Sequence, residues 1–259
     1  MEFKFNSENH LSNQNLLNYL DLYETEIGSY YLPKNSEKDI VCQAMRKGQL
    51  FDKKIIDQCR KLYLSKNNPN AIMIDIGANF AQMSVEFSKF PLLLSSSSHR
   101  KPTVYSFEAE PFVYEIALLN IHANNKKERI NLFHNAVWNI NNLEVCFPEP
   151  DFSKMDSWGS FGLEPSLEAG RMIKTITIDS LKFDEEIAFM KIDIQGSDLN
   201  ALLGSVETIR KHKMPIIFEY EQMFSDKFKN NFQDYVDFVQ CIDYRFEKVI
   251  ENNYVVVSN

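Results

Sequence analysis

Ala71-Ile72-Met73-Ile74-Asp75-Ile76-Gly77-Ala78-Asn79 is the stretch that decides the fold. Its first four residues form a continuous apolar run, the pattern of a strand covered on both faces. An acid, a glycine and an asparagine then turn the chain. Phe80, Met83 and Phe87 follow at helical spacing. Strand, tight turn and helix in that order open a doubly wound, mostly parallel sheet.

Downstream the unit recurs. Val104-Tyr105-Ser106-Phe107 reads as a second strand ending at Glu108, and Pro111 stands where a first helical residue belongs. Val113, Ile116, Ala117 and Ile121 carry that helix, and residues 130–137 read as a third strand. Residues 139–178 interrupt the alternation with strands expected at 143–147 and 172–178. Residues 187–192 form a strand ending at Asp193, and a helix from Ser197 buries Leu199, Leu202, Leu203, Val206 and Ile209. Residues 215–218 form a strand ending at Glu219. Phe228, Phe232, Tyr235, Val236 and Val239 make a helical stripe. The last two strands, 244–250 and 254–257, are linked by Glu251-Asn252-Asn253 alone, which forces an antiparallel hairpin.

Upstream, Leu16, Leu17, Leu20 and Tyr23 are read as one helical face, and Ile55, Ile56, Cys59, Leu62 and Tyr63 as another. Residues 1–65 are thus expected to form an N-terminal helical cap. Residues 66–259 are expected to form the α/β domain, with its insertion at 139–178.

Composition narrows the function. The 259 residues carry a net charge of −8, which argues against nonspecific nucleic-acid binding. No apolar run reaches the ~18–20 residues needed to span a bilayer. The first residues lack the basic-then-apolar layout of a signal peptide. Cys42, Cys59, Cys146 and Cys241 are far apart and form no C-x-x-C pair, so reduced thiols and a cytoplasmic location are expected. Only 8 glycines occur, where ~7% usage would give about 18, so each one is informative.

Ligands of open α/β sheets bind outside the carboxyl ends of the strands. Here four strands end in Asp75, Glu108, Asp193 and Glu219, which brings four carboxylates to one rim. Gly77 permits a tight turn without a Cβ. One glycine in place of the three of G-x-G-x-x-G disfavours a pyrophosphate and suits a phosphate-free ligand. A carboxylate at Glu108 is placed to accept ribose hydroxyls. N-capping of the following helices is the competing role for Asp75 and Glu108.

Five blocks then occur in order: Asp75 to Asn79, Phe107-Glu108-Ala109-Glu110-Pro111, Asn135-Ala136-Val137, Thr177-Ile178-Asp179-Ser180-Leu181, and Lys191 to Asp198. Together they resemble the FkbM-type S-adenosylmethionine-dependent methyltransferases, over residues 28 to 221. The resemblance implies a seven-stranded class I methyltransferase sheet, which the terminal hairpin also fits. It implies that Asp75, Gly77, Ala78 and Asn79 line the methionine end of S-adenosylmethionine. It implies that Glu108, with Ala109 beside it, holds the ribose and that Asn135 and Ala136 border the adenine. Asp193 then faces the methyl group and the substrate, and Asp52 matches an acidic position of the N-terminal cap. The chain departs from the family at Ala81, where a second glycine is usual, at Gln195, where Glu is frequent, and at Asp198.

The expected activity is methylation of a hydroxyl on a sugar, glycan or small molecule. A hydroxyl acceptor needs a general base, for which Asp193 ranks first and Glu219 second. No H-x-x-x-H or Asp-Asp pair supports a metal. His134 and Lys191 are read as structural, Lys191 through a pairing with a nearby carboxylate. Tyr30, Tyr31, Trp138 and Trp158 are read as core packing or as a sugar-stacking wall. A non-catalytic methyltransferase-like subunit and a nicotinamide-dependent oxidoreductase are the rival readings.

Overall fold

The computed structural model describes residues 16–94, 103–148, 158, 162–164, 166–167 and 170–259. The expectations for residues 1–15, for the loop at 95–102 and for Gly159 lie outside the described residues. Its strands are β1 (Leu20–Thr25), β2 (Gly28–Pro33), β3 (Ile72–Ile76), β4 (Val104–Glu108), β5 (Ile130–His134) and β6 (Ala136–Val137). They continue with β7 (Glu144–Phe147), β8 (Arg171–Ile176), β9 (Ile187–Ile192), β10 (Ile216–Glu219), β11 (Tyr244–Ile250) and β12 (Asn253–Ser258).

Seven of these form the central sheet, in the order β11-β12-β10-β9-β3-β4-β5. The pairings from β10 through β5 are all parallel, and both pairings of β12 are antiparallel. The sheet is therefore mixed, with the antiparallel component confined to the expected C-terminal hairpin. Strand alternation sends side chains to opposite faces. Met73, Phe189 and Ile217 enter one buried cluster, under the helices Lys53–Lys66, Gln82–Phe87 and Pro111–Ala123. Ile74, Met190, Ile216 and Phe218 enter the other, under Val206–His212 and Phe232–Cys241. Burial on both faces explains why β3 and β9 read as unbroken apolar runs.

Three expectations are corrected. The helix read into residues 16–23 is replaced from Leu20 onward by the antiparallel hairpin of β1 and β2. Leu20-Asp21-Leu22 also alternates with period two, although of the two leucines only Leu20 is buried. Asn120 accepts from Tyr31 N at 2.6 Å and donates to Tyr31 O, so the helix Pro111–Ala123 holds the hairpin by its backbone. The cap is thus a hairpin followed by the helices Ile40–Arg46 and Lys53–Lys66. The third strand does not run unbroken from 130 to 137. It breaks at Asn135, after which β6 leaves the main sheet to pair with β8, itself paired with β7 in the 139–178 insertion. The helix from Ser197 is two helices, Asp198–Leu203 and Val206–His212.

Candidate active site

The turn after β3 is fixed by its glycine. Gly77 has φ +87°, and a Cβ there would lie 1.9 Å from the backbone oxygen of Asp193. The close approach draws the end of β9 against the end of β3. Gly196, with φ +89°, serves the same purpose beyond β9, where a Cβ would meet Phe224 at 2.3 Å. Both turns face a cavity of about 310 Å³ at the carboxyl ends of the strands. That volume falls within the ~300–1,000 Å³ of small-molecule pockets.

One half of the cavity lies over β3 and β4 and the segment after β5, and is lined by Gly77, Asn79, Glu108, Ala109, Asn135 and Ala136. Glu108 Oε2 accepts from Asn79 N at 2.8 Å and Oε1 from Glu110 N at 2.9 Å. Two backbone donors thus hold the carboxylate in place, and each oxygen keeps a lone pair for a ligand. Burial pushes Glu108 up to about 7, against those hydrogen bonds. Asn79 lines the cavity, and its Oδ1 is closed off from solvent with no hydrogen-bond partner.

The other half lies over β9 and β10, where Asp193, Glu219 and Glu221 face Asp52 of the cap. Asp52 ends the turn before Lys53–Lys66 in a left-handed conformation, φ 47°. Burial and then the charge of Asp193 raise Asp52 to about 6. Glu219 is raised to about 9 by burial, then by the charge of Asp193 and a hydrogen bond to it. Trp158 closes the cap side of the cavity. It stacks on Phe112 at 5.0 Å and donates its backbone N–H to Asp39 at 2.7 Å.

Beneath the rim lies a buried polar ladder. The sheet register places Ser106, Asp75 and Lys191 side by side. Ser84 donates to Asp75 and Ser106 donates to Ser84. Lys191 Nζ lies 3.2 Å from Asp193 Oδ2 and 3.9 Å from Asp75 Oδ1. Burial works to lower the Lys191 pKa, but Asp193 and Asp75 outweigh it and hold the ammonium above its ordinary range.

Nine of the eleven residues singled out in the sequence line this one cavity: Asp52, Gly77, Asn79, Glu108, Ala109, Asn135, Ala136, Asp193 and Glu219. Asp75 and Ala78 do not. Asp75 is fully buried below the rim, on the face of β3 covered by Gln82–Phe87, so its place is under the ligand site. Ala78 is also buried, its N–H bonded to Phe107 O. Neither Asp75 nor Glu108 caps a helix. Of Tyr30, Tyr31, Trp138 and Trp158 only Trp158 lines the cavity, beside Phe51, Phe107 and Phe147: Tyr30 is buried, and Trp138 packs against Phe228. His134 stacks on Tyr114 at 4.4 Å. Glu110, Gln195 and Glu221 also line the cavity and were not singled out as site residues; Glu221, two positions beyond Glu219, carries a legible signal in that spacing.

Six acidic residues line the cavity, and no Lys, Arg or His among the described residues does. A phosphate-rich dinucleotide fits that potential poorly, whereas a cationic, phosphate-free ligand fits it well. The fit to S-adenosylmethionine is specific in three places. Glu108 offers an oriented carboxylate to ribose hydroxyls, Asn79 Oδ1 an unmatched acceptor to an ammonium, and the acidic half a favourable field for a sulfonium. Among the described residues no group of three or more His, Cys, Asp or Glu is arranged to hold a metal ion, and no helix is long and apolar enough to cross a membrane.

Comparison with known proteins adds a family. Residues 75–246, well over half of the chain, match the family model described as the methyltransferase FkbM domain. No curated protein matches the chain. Among solved structures, the methyltransferase FkbM from Methylobacillus flagellatus KT is 19% identical, with a TM-score of 0.46 over 73% of this chain and 43% of its own. This chain therefore spans less than half of that protein. The O-methyltransferase from Bacillus cereus, in complex with S-adenosylhomocysteine (SAH), is 17% identical, with a TM-score of 0.43 over 78% of this chain and 81% of its own. The tRNA (uracil-54, C5)-methyltransferase of Pyrococcus abyssi, also with SAH, is 11% identical, with a TM-score of 0.43 over 92% of this chain and 43% of its own.

Proposed function

The chain belongs to the FkbM methyltransferase family, and from that premise we propose that it methylates a hydroxyl of a sugar, glycan or other small molecule, using S-adenosylmethionine. The observation that carries this reading is the two-part cavity. Its β3–β4 side presents Glu108, Asn79 and Asn135, and its β9–β10 side presents Asp193 and Glu219.

When bound, S-adenosylmethionine supplies an electrophilic methyl group on a sulfonium that leaves as a neutral thioether. Glu108 holds the ribose, and Asn79 the amino-acid end. Asn135 and Ala136, where the chain passes from β5 to β6, would border the adenine. Asp193 takes the proton of the acceptor hydroxyl. Lys191, 3.2 Å away, fixes the orientation of Asp193. Asp52 and Trp158 close the cavity from the cap and the insertion, which excludes water and aligns the acceptor. The cap and insertion carry acceptor choice, because they form the wall that the sheet does not.

The test is transfer of isotopically labelled methyl from S-adenosylmethionine to a panel of glycans and hydroxylated small molecules, read by mass spectrometry. The wild type is expected to label an acceptor hydroxyl. Asp193→Asn is expected to lose that labelling while still binding SAH. Full turnover in Asp193→Asn would remove the base from the mechanism, and label on nitrogen or carbon alone would overturn the O-methylation reading.

A further inference from the structure

We propose that Arg171, from the insertion, is a positioning residue for the methyl donor: through Glu110 it fixes the turn that presents Glu108 to the ribose. This rests on the methyltransferase reading above and deepens it, because it makes the insertion part of the donor half of the cavity.

The turn after β4 differs from its neighbours. Gly77 and Gly196 shape the turns after β3 and β9, whereas Glu108-Ala109-Glu110 holds no glycine and no left-handed residue. Pro111 follows and has no N–H to donate. Side chains therefore set the shape of this turn. Glu110 N donates to Glu108 Oε1 at 2.9 Å. Glu110 Oε2 accepts from Val113 N at 2.6 Å and so caps the helix Pro111–Ala123. The other oxygen, Glu110 Oε1, is paired with Arg171 Nη1. Only 4% of the Glu110 side chain and 18% of the Arg171 side chain are exposed, so solvent screens the pair weakly.

Arg171 is itself anchored. It opens β8 opposite Phe147 of β7, and its Nη2 donates to Pro148 O at 3.2 Å. The forked guanidinium makes both contacts at once, which a lysine ammonium does with less direction. The same strand stands behind the adenine border. Asn135 Nδ2 donates to Lys174 O at 3.0 Å, and Ala136 pairs with Thr175. β8 thus supports Glu108 through Glu110, and Asn135 and Ala136 directly.

A binding group works only when neighbouring bonds hold it within ~0.5 Å of its productive place. Without Arg171 the buried Glu110 carboxylate loses its charge partner, and the turn that it braces relaxes. Glu108 keeps its own charge but is misaimed. The loss therefore passes through Glu108, whereas an ion pair that only stabilised the fold would leave donor affinity unchanged in the folded protein.

The experiment is isothermal titration calorimetry of SAH with the wild type, Arg171→Met, Glu108→Gln and the double variant, with each fold checked by circular dichroism. Arg171→Met is expected to weaken SAH binding about 3- to 10-fold in the wild-type background and less than about 2-fold in the Glu108→Gln background. If Arg171→Met does not fold, Arg171→Met/Glu110→Gln takes its place with the same expectations, because it leaves no orphan charge. Unchanged SAH affinity in a folded Arg171 variant overturns the proposal. An equal loss in both backgrounds overturns the route through Glu108. Failure of the wild type to bind SAH overturns the methyltransferase reading itself, and the proposal with it.

Discussion

Lys191 Nζ lies 3.2 Å from Asp193 Oδ2 and reaches Asp75 on the neighbouring strand at 3.9 Å. One buried ammonium therefore joins the floor of the sheet to the rim of the cavity. Removing one partner of a buried ion pair leaves the other charge uncompensated. Lys191→Met is expected to cost about 3 kcal/mol of stability, softened where Asp75 takes up a proton. Urea unfolding followed by circular dichroism measures this. A loss under about 1 kcal/mol would show that the pair is dispensable.

Stability should depend on pH in an unusual direction. Burial raises Asp52 to about 6, Glu108 and Asp198 to about 7 and Glu219 to about 9. In the unfolded chain such groups titrate near ~4. The folded state thus binds more protons than the unfolded state between these limits, and stability falls as pH rises through them. The melting temperature is expected to be highest near pH 5 and to decline toward pH 9. Glu219→Gln should flatten the decline above pH 7. Lys191 leaves this window unchanged, because its own loss of charge lies at higher pH. A melting temperature that climbs steadily from pH 5 to pH 9 would refute the reading.

Ala81 adopts the left-handed conformation, φ 63°, and is fully buried. A Cβ in that region costs roughly 1–2 kcal/mol, part of which glycine gives back as unfolded-chain entropy. Ala81→Gly is expected to stabilise the protein by about 0.5–1 kcal/mol, read as a rise in the urea midpoint. The departure from the family at this position is therefore one of backbone strain, located at the start of the helix after the cofactor turn. A destabilised variant would mean that the methyl group packs better than its backbone conformation suggests.

Glu108 is expected to act through its charge. Glu108→Gln keeps the shape of the side chain but loses the charged acceptor for ribose hydroxyls. SAH affinity should drop by about 10- to 100-fold, the worth of one charge-assisted hydrogen bond. Wild-type affinity should also weaken as pH falls through about 7, where Glu108 gains its proton. Titration of SAH across that range, with wild type and variant in parallel, checks both statements.

Much of this architecture is legible in the chain. β3 and β9 announce themselves because burial on both faces removes every polar residue but Asp75 and Lys191 from them. The terminal hairpin is set by a link too short for a crossover. The hairpin β1–β2 is not legible, since Leu20 and its neighbours satisfy both periods, while the bonds that hold the hairpin come from Asn120 and Asn124, some ninety residues away. Strand ends predict the rim, but not depth along it. Asp75 follows the apolar run as Asp193 does, yet the register buries it beside Lys191. Trp158 enters the cavity through bonds to Asn35 and Asp39 that no local pattern carries.

This acidic, phosphate-averse cavity is proposed to hold the methyl donor. Thermal unfolding of the purified chain with SAH and, in parallel, with NAD tests it most directly. A concentration-dependent rise in melting temperature is expected with SAH and none with NAD. A rise with NAD and none with SAH would contradict it.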